Sequence, residues 1–189
     1  MAFIRVKGHG RHRYAYLVSE KWTKDGPRQS VSEYLGKVFD VQRNYEPSLT
    51  ISDETTFKKA ILKITAEELL ACGFSEEREG FFIKNVDKKT TLQAELSEEK
   101  VRFTVRKGFK REAECVLKAN EGFICKQTIT ELLTALRFKQ ESQEGNEFTS
   151  EPELGRILAR LIINAGLKVS PDTFVMLYEK LEKEKSSGG

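Results

Sequence analysis

Cysteine, histidine and aspartate are all scarce in this chain, and each scarcity argues against a class of function. The three cysteines, Cys72, Cys115 and Cys125, are odd in number and lack C-x-x-C spacing, which argues against both a disulfide framework and a structural zinc knuckle. They read as reduced thiols, and Cys72 and Cys115 sit in runs where a free cysteine behaves as a small buried hydrophobe. No histidine lies near them in sequence, so no Cys-His nucleophile is signalled. His9 and His12 share a metal only in a favourable conformation, and no third ligand accompanies them. The aspartates, Asp25, Asp40, Asp53, Asp87 and Asp172, are scattered. Glu67-Glu68, Glu76-Glu77 and Glu98-Glu99 read as solvated faces and turns rather than as paired acid and base. A carboxylate site assembled only in the fold would leave no mark here. The phosphate loop, the G-x-S-x-G elbow and the dinucleotide glycine fingerprint are also missing from the sequence. No enzyme and no cofactor is expected.

Long apolar runs are lacking as well. None approaches a membrane span, and the N-terminus has no secretory apolar stretch, so a cytoplasmic protein without a membrane role is expected. The chain has 189 residues, of which 39% are hydrophobic and 32% charged. That is polar for a globular protein, yet too rich in aromatic and aliphatic residues for a disordered tail. The net charge of +3 hides a gradient, since residues 1–39 carry +5 and the other 150 carry −2. The basic character lies at the N-terminus, as an electrostatic footprint would.

What is present there is period-two alternation. Three runs, Ala2 to Lys7, Tyr14 to Trp22 and Arg28 to Gly36, read as strands. Successive strand side chains face opposite ways, so Ile4, Val6, Ala15, Leu17, Val31 and Leu35 fall on one side. Phe3, Arg5, Lys7, Tyr14, Tyr16, Trp22, Arg28 and Tyr34 fall on the other. Lys24-Asp25-Gly26-Pro27 is turn chemistry and makes the second and third strands a hairpin. Gly8 to Arg13 reads as a flexible basic loop able to follow a phosphate backbone, or as a plain solvated connection. Rings for base stacking beside cations for phosphate make a platform for single-stranded nucleic acid or RNA. Aromatics are also ordinary strand residues, and such a face equally suits packing against the rest of the protein.

Lys37 to Thr50, with Pro47, reads as a linker, which places a basic and aromatic module at 1–48 and an α+β domain at 49–184. Ser52 is the expected cap of a helix through about Lys63. A Thr65-x-x-Glu68 capping box then starts a second short helix, or continues a kinked one, stopping at Gly73. Strands are expected at Phe81 to Val86, Thr91 to Leu96, Val101 to Arg106 and Glu114 to Leu117, forming a second sheet. Asn120-Glu121-Gly122 is a turn. Helices follow near Gln127 to Phe138, from a Ser150 cap to before Gly166, and from Ser170-Pro171 onward, with Phe174, Leu177, Tyr178 and Leu181 buried. The last two form a helix hairpin, and Gln140 to Thr149 is a polar loop. The terminal Gly188-Gly189 is how ubiquitin-like modifiers present their carboxylate. Those folds end on a strand, whereas this diglycine follows a helix, so 185–189 reads as a disordered tail.

The run Tyr14 to Glu20, then Asp25-Gly26-Pro27-Arg28-Gln29, then Tyr34-Leu35-Gly36, resembles the small N-terminal hairpin module ahead of the catalytic domain in insertion-sequence (DDE) transposases. The likeness covers about 25 residues. The ribonuclease-H-like catalytic domain of those enzymes has no counterpart here, so the resemblance implies a nucleic-acid context without transposition. The remainder is similar to small uncharacterised archaeal proteins that carry the same hairpin.

The expectation is therefore an α+β protein with an N-terminal three-stranded antiparallel sheet, then a mixed sheet with helices and a C-terminal helix hairpin. Arg5, Lys7, Arg11, Arg13 and Arg28 would contact phosphate, while Tyr14, Tyr16, Trp22 and Tyr34 would stack on bases. The rival is an adaptor whose aromatic face or helix hairpin docks a protein partner, such as part of a ribonucleoprotein, with Tyr, Trp and Arg as hot spots.

Overall fold

A computed structural model of the protein describes residues 2–24, 26–47, 49, 51–52, 54–135 and 151–186. The expected Ser150 cap, the Gln140 to Thr149 loop, the helical residues beyond Ala135 and the terminal diglycine lie outside the described residues. So does Asp25 of the expected tight turn.

Period-two alternation in the first 40 residues gives a meander of β1 (Ala2–His9), β2 (His12–Thr23) and β3 (Gly26–Asp40), each pair antiparallel. Gly8 to Arg13 is a hairpin connection, the plainer of its two expected readings, and not a flexible loop. β1 runs through His9 and pairs with His12, so only Gly10, at φ +57°, and Arg11 form the turn. Glycine there serves a tight two-residue hairpin rather than flexibility. Nor does Gly36 end β3. The strand continues to Asp40, and Lys37 to Asp40 pair parallel with Cys115 to Lys118.

That parallel pair joins the meander to everything that follows. After α1 (Phe57–Ala71) come β4 (Ser75–Arg78), β5 (Phe81–Asn85), β6 (Thr90–Leu96), β7 (Val101–Lys107), β8 (Ala113–Ala119) and β9 (Gly122–Ile124). The strands expected as a second sheet are continuous with the first, in one nine-stranded sheet of order β1-β2-β3-β8-β7-β6-β5-β4, with β9 pairing β8. β4, four exposed polar residues, has no apolar alternation to announce it. The chain closes with α2 (Lys126–Leu133), α3 (Glu151–Asn164) and α4 (Pro171–Ser186), and α4 extends into the expected tail. The fold is α+β.

Of the two arrangements expected before Gly73, two short helices or one continuing helix, a single helix forms. Thr56, not Ser52, caps α1 by accepting the Lys59 amide at 3.3 Å. Thr65 does not open a new helix, because its hydroxyl donates back to the Ile61 carbonyl at 2.8 Å, one turn earlier. The α1 stripe of Phe57, Ile61, Ile64 and Leu69 packs with Phe82, Leu92, Phe103, Val105, Leu117 and Ile124, all from one face of the sheet. Leu177 and Leu181 of α4 join that core fully, whereas Phe174 and Tyr178 are half-buried against it. Among the described residues no helix is long and apolar enough to cross a membrane.

Candidate nucleic-acid interface

Register builds the site. Phe3, Arg5 and Lys7 of β1 lie opposite Val18, Tyr16 and Tyr14 of β2. On the other flank Tyr34 lies opposite Tyr16, and Lys37 opposite Tyr14. The expected ring face therefore forms. Tyr14 and Tyr34 rings are 6.2 Å apart between centroids, Tyr16 and Tyr34 5.5 Å, and His12 meets Tyr14 edge-on at 6.4 Å. The Lys7 ammonium lies 5.5 Å from the Tyr16 ring centroid, a cation–π contact that keeps the charge on the aromatic strip. Arg5 is steadied by Gln29, whose Oε1 accepts from Nη1 at 2.8 Å. Tyr34 is 52% exposed, and its hydroxyl is pushed above the ordinary phenol range by partial burial and then by the neighbouring Tyr14 and Tyr16. Trp22 shares the face by alternation along β2 but stands at the far end of the hairpin, 82% exposed.

Two of the expected positions move, for one reason. β3 carries two extra residues relative to β2, Ser32 and Leu35, each a bulge. The Ser32 hydroxyl donates to the Leu17 carbonyl at 3.0 Å. A bulge shifts alternation by one residue, so Val31 lands opposite Val18 on the ring face, 53% exposed, instead of in the apolar set. Arg28 pairs with Lys21 and takes the side opposite Trp22. Leu35 tucks into a small second core with Ala15, Val38, Val116 and Cys125, flanked by Ile4, Val6 and Leu17. Arg13 also faces away from the rings, opposite Gly8, and forms an ion pair with Asp40. Arg11 is exposed in the β1–β2 turn.

The surroundings of this face were not legible in the sequence. Lys37 and Phe39 lie opposite Cys115 and Leu117, core-facing residues of β8. The ring face is thus the lateral continuation of the face that the helices cover elsewhere. Lys107, two residues beyond core-facing Val105, points the same way and closes in on Lys37 and His12. His12 is held below its ordinary value of 6.5, chiefly by the Lys37 charge, then by slight desolvation and Lys107. Lys37 is lowered by burial and then by Lys107. Phe109 stands fully exposed on the β7–β8 turn beside Lys107, Lys110 and Arg111. A second basic stretch around an aromatic, Arg106 to Arg111, is visible in the sequence and is the signal that alternation alone passes over.

A second polar centre is structural. Glu68, 1% exposed, accepts from Arg43 Nε at 2.8 Å and from its Nη2, and from Asn120 Nδ2 at 3.1 Å. Asn120 also donates to the Gly166 carbonyl at 2.7 Å, and Arg43 Nη2 to that of Lys168 at 3.1 Å. The carboxylate is held by groups that tie the β3–α1 connector, α1, the β8–β9 turn and the α3–α4 connector together. Both carboxylate oxygens accept from these groups, an arrangement that suits a clasp. The three cysteines are buried and free. Among the described residues no group of three or more His, Cys, Asp or Glu side chains is placed to hold a metal ion. Comparison with known protein families, with curated proteins and with solved structures finds no match to this chain.

Proposed function

We propose that this protein is a non-catalytic nucleic-acid-binding protein of the cytoplasm that holds single-stranded nucleic acid, RNA in preference, on the ring face of its N-terminal meander. The observation that carries the reading is the Tyr14–Tyr34–Tyr16 strip with Lys7 over Tyr16 and Arg5 alongside. Three rings joined through Tyr34, only partly buried and edged by cations, offer stacking of about 1–3 kcal/mol per base together with salt-dependent phosphate contacts. The likeness of the hairpin to the transposase module supports a nucleic-acid context. Three unpaired buried thiols suit a reducing compartment.

The test is a titration of the intrinsic fluorescence with mixed-sequence single-stranded RNA and with duplex DNA at low and high salt. Trp22 is the only tryptophan and lies on the face in question. Salt-sensitive quenching that favours the single strand is the expected result. An unchanged signal with no co-migration on a gel would remove the reading. It would leave the adaptor alternative, which the exposure of Trp22 favours because such residues anchor protein interfaces.

A further inference from the structure

We infer that His12, Lys37 and Lys107 form a phosphate seat at one end of the tyrosine strip, so that a bound strand is stacked on the rings and anchored by a phosphate group among these three side chains. The inference rests on the reading of this face as a nucleic-acid surface and adds to it a position and three residues.

Three distant stretches of chain converge there. His12 opens β2, Lys37 lies in β3 opposite Tyr14, and Lys107 ends β7 opposite Thr90. Each is fixed by its surroundings. The His12 ring meets Tyr14 edge-on, and the Lys37 ammonium lies 5.0 Å from the Phe39 centroid. The strand end that carries Lys107 is held where the Gly108 amide donates to the Lys89 carbonyl at 2.7 Å.

Bringing like charges together costs free energy unless an anion compensates. The Lys107 charge lowers the proton affinity of Lys37, and both charges bear on His12. Asp87 is one negative charge against the two lysines and so offsets them in part. Its Oδ1 already accepts the amides of Lys89 and Thr90 at 2.7 and 2.8 Å. Two ammonium groups and an imidazole converging beside π-faces suit an oxyanion with several acceptor oxygens, and a phosphate next to stacked bases has that chemistry. The groups facing His12 are its register partner His9 on β1, Tyr14 on its own strand, Lys37 on β3 and Lys107 on β7. A phosphate entering among them reverses the sign of the local field and raises the affinity of His12 for a proton.

Two probes test the seat. Tripolyphosphate is titrated into the full chain while the imidazole signals of His12 are followed by NMR from pH 5 to 8. Separately, single-stranded RNA affinity is measured against salt for the wild type, Lys107→Gln and Lys107→Arg. Lys107 is exposed, so both variants should fold, and a thermal melt confirms it. The expected results are a His12 midpoint that begins below 6.5 and moves upward with tripolyphosphate, and a several-fold weaker RNA affinity for K107Q with a salt slope smaller by about 0.7. K107R should restore both. An unmoved His12 midpoint together with wild-type RNA binding by K107Q overturns the seat while leaving the ring-face reading intact. A protein that takes tripolyphosphate at His12 but binds no RNA keeps the seat and loses the polynucleotide reading.

Discussion

Arg43, in the connector after β3, donates from Nε and Nη2 to both oxygens of Glu68, a carboxylate on α1 that is 1% exposed. The hydrogen bonds it donates to Glu68 hold the guanidinium more firmly in its charged form. Removing one member of a buried pair strands the other charge, at a cost of about 3–5 kcal/mol, whereas replacing both with apolar groups of similar volume is far milder. Glu68→Ala and Arg43→Ala should each lower stability by that amount in urea melts. The double variant Arg43→Met/Glu68→Leu should lose much less than the sum of the two single losses. Additive losses would mean that the two side chains do not act as a unit.

Gly36 sits where β3 passes from the hairpin to its parallel pairing with β8. Its φ is +118°, and a Cβ built on it would stand 2.3 Å from the Glu114 carbonyl oxygen. Both the conformation and the approach demand glycine. The neighbour is backbone and cannot swing away, so Gly36→Ala should cost more than about 2 kcal/mol and lower the melting temperature. Gly8→Ala is the control, because a Cβ there meets nothing within 4 Å. Similar melting temperatures for the two variants would contradict the close approach of β3 to β8.

The cysteines provide a pH-dependent readout of packing. Burial pushes the Cys72 thiol up to about 11 and that of Cys115 to about 12, the Glu68 charge adding to the first, and burial raises Cys125 as well. The thiolate is the reactive form. At pH 8 the folded protein should therefore resist iodoacetamide, with labelling rising as pH rises until unfolding takes over. In guanidinium all three should label within minutes, and mass spectrometry counts the adducts. A thiol that labels quickly in native buffer would show that its part of the core opens readily.

Alternation made most of the strands legible, because Tyr14 to Lys21 and Phe81 to Leu96 carry it in their residue types. It failed where the backbone departs from period two. Ser32 and Leu35 are unremarkable strand residues, and nothing in their chemistry announces a bulge. The insertion at Ser32 moved Arg28 and Val31 across the sheet relative to Tyr34. Glycine misled in the opposite sense, since Gly8 and Gly10 suggested a mobile loop where the turn is only Gly10 and Arg11. Thr65 and Glu68 have capping-box spacing, but Glu68 is held by Arg43, 25 residues away, and no local pattern records such a partner. The seat at His12 was hidden for the same reason. Its members come from three stretches of chain, β2, β3 and β7, that the sheet order β2-β3-β8-β7 joins.

The bulge at Ser32 gives the ring face a discriminating test. Arg5 and Arg28 are both exposed arginines of the same meander, so net charge alone predicts equal effects on a polyanion. Register predicts otherwise, because Arg5 lies opposite Tyr16 while Arg28, paired with Lys21, turns to the other side. Arg5→Gln should weaken single-stranded RNA binding and reduce the salt slope by about 0.7, and Arg28→Gln should do much less. Tyr34→Ala removes an exposed ring and should cost about 1–3 kcal/mol of binding with little change in stability, since the lost area was largely solvated already. Measured by fluorescence and confirmed by gel mobility, equal losses for Arg5→Gln and Arg28→Gln with none for Tyr34→Ala would describe unspecific attraction to a basic surface. Unequal losses together with the Tyr34 effect assign the contact to one face of the sheet.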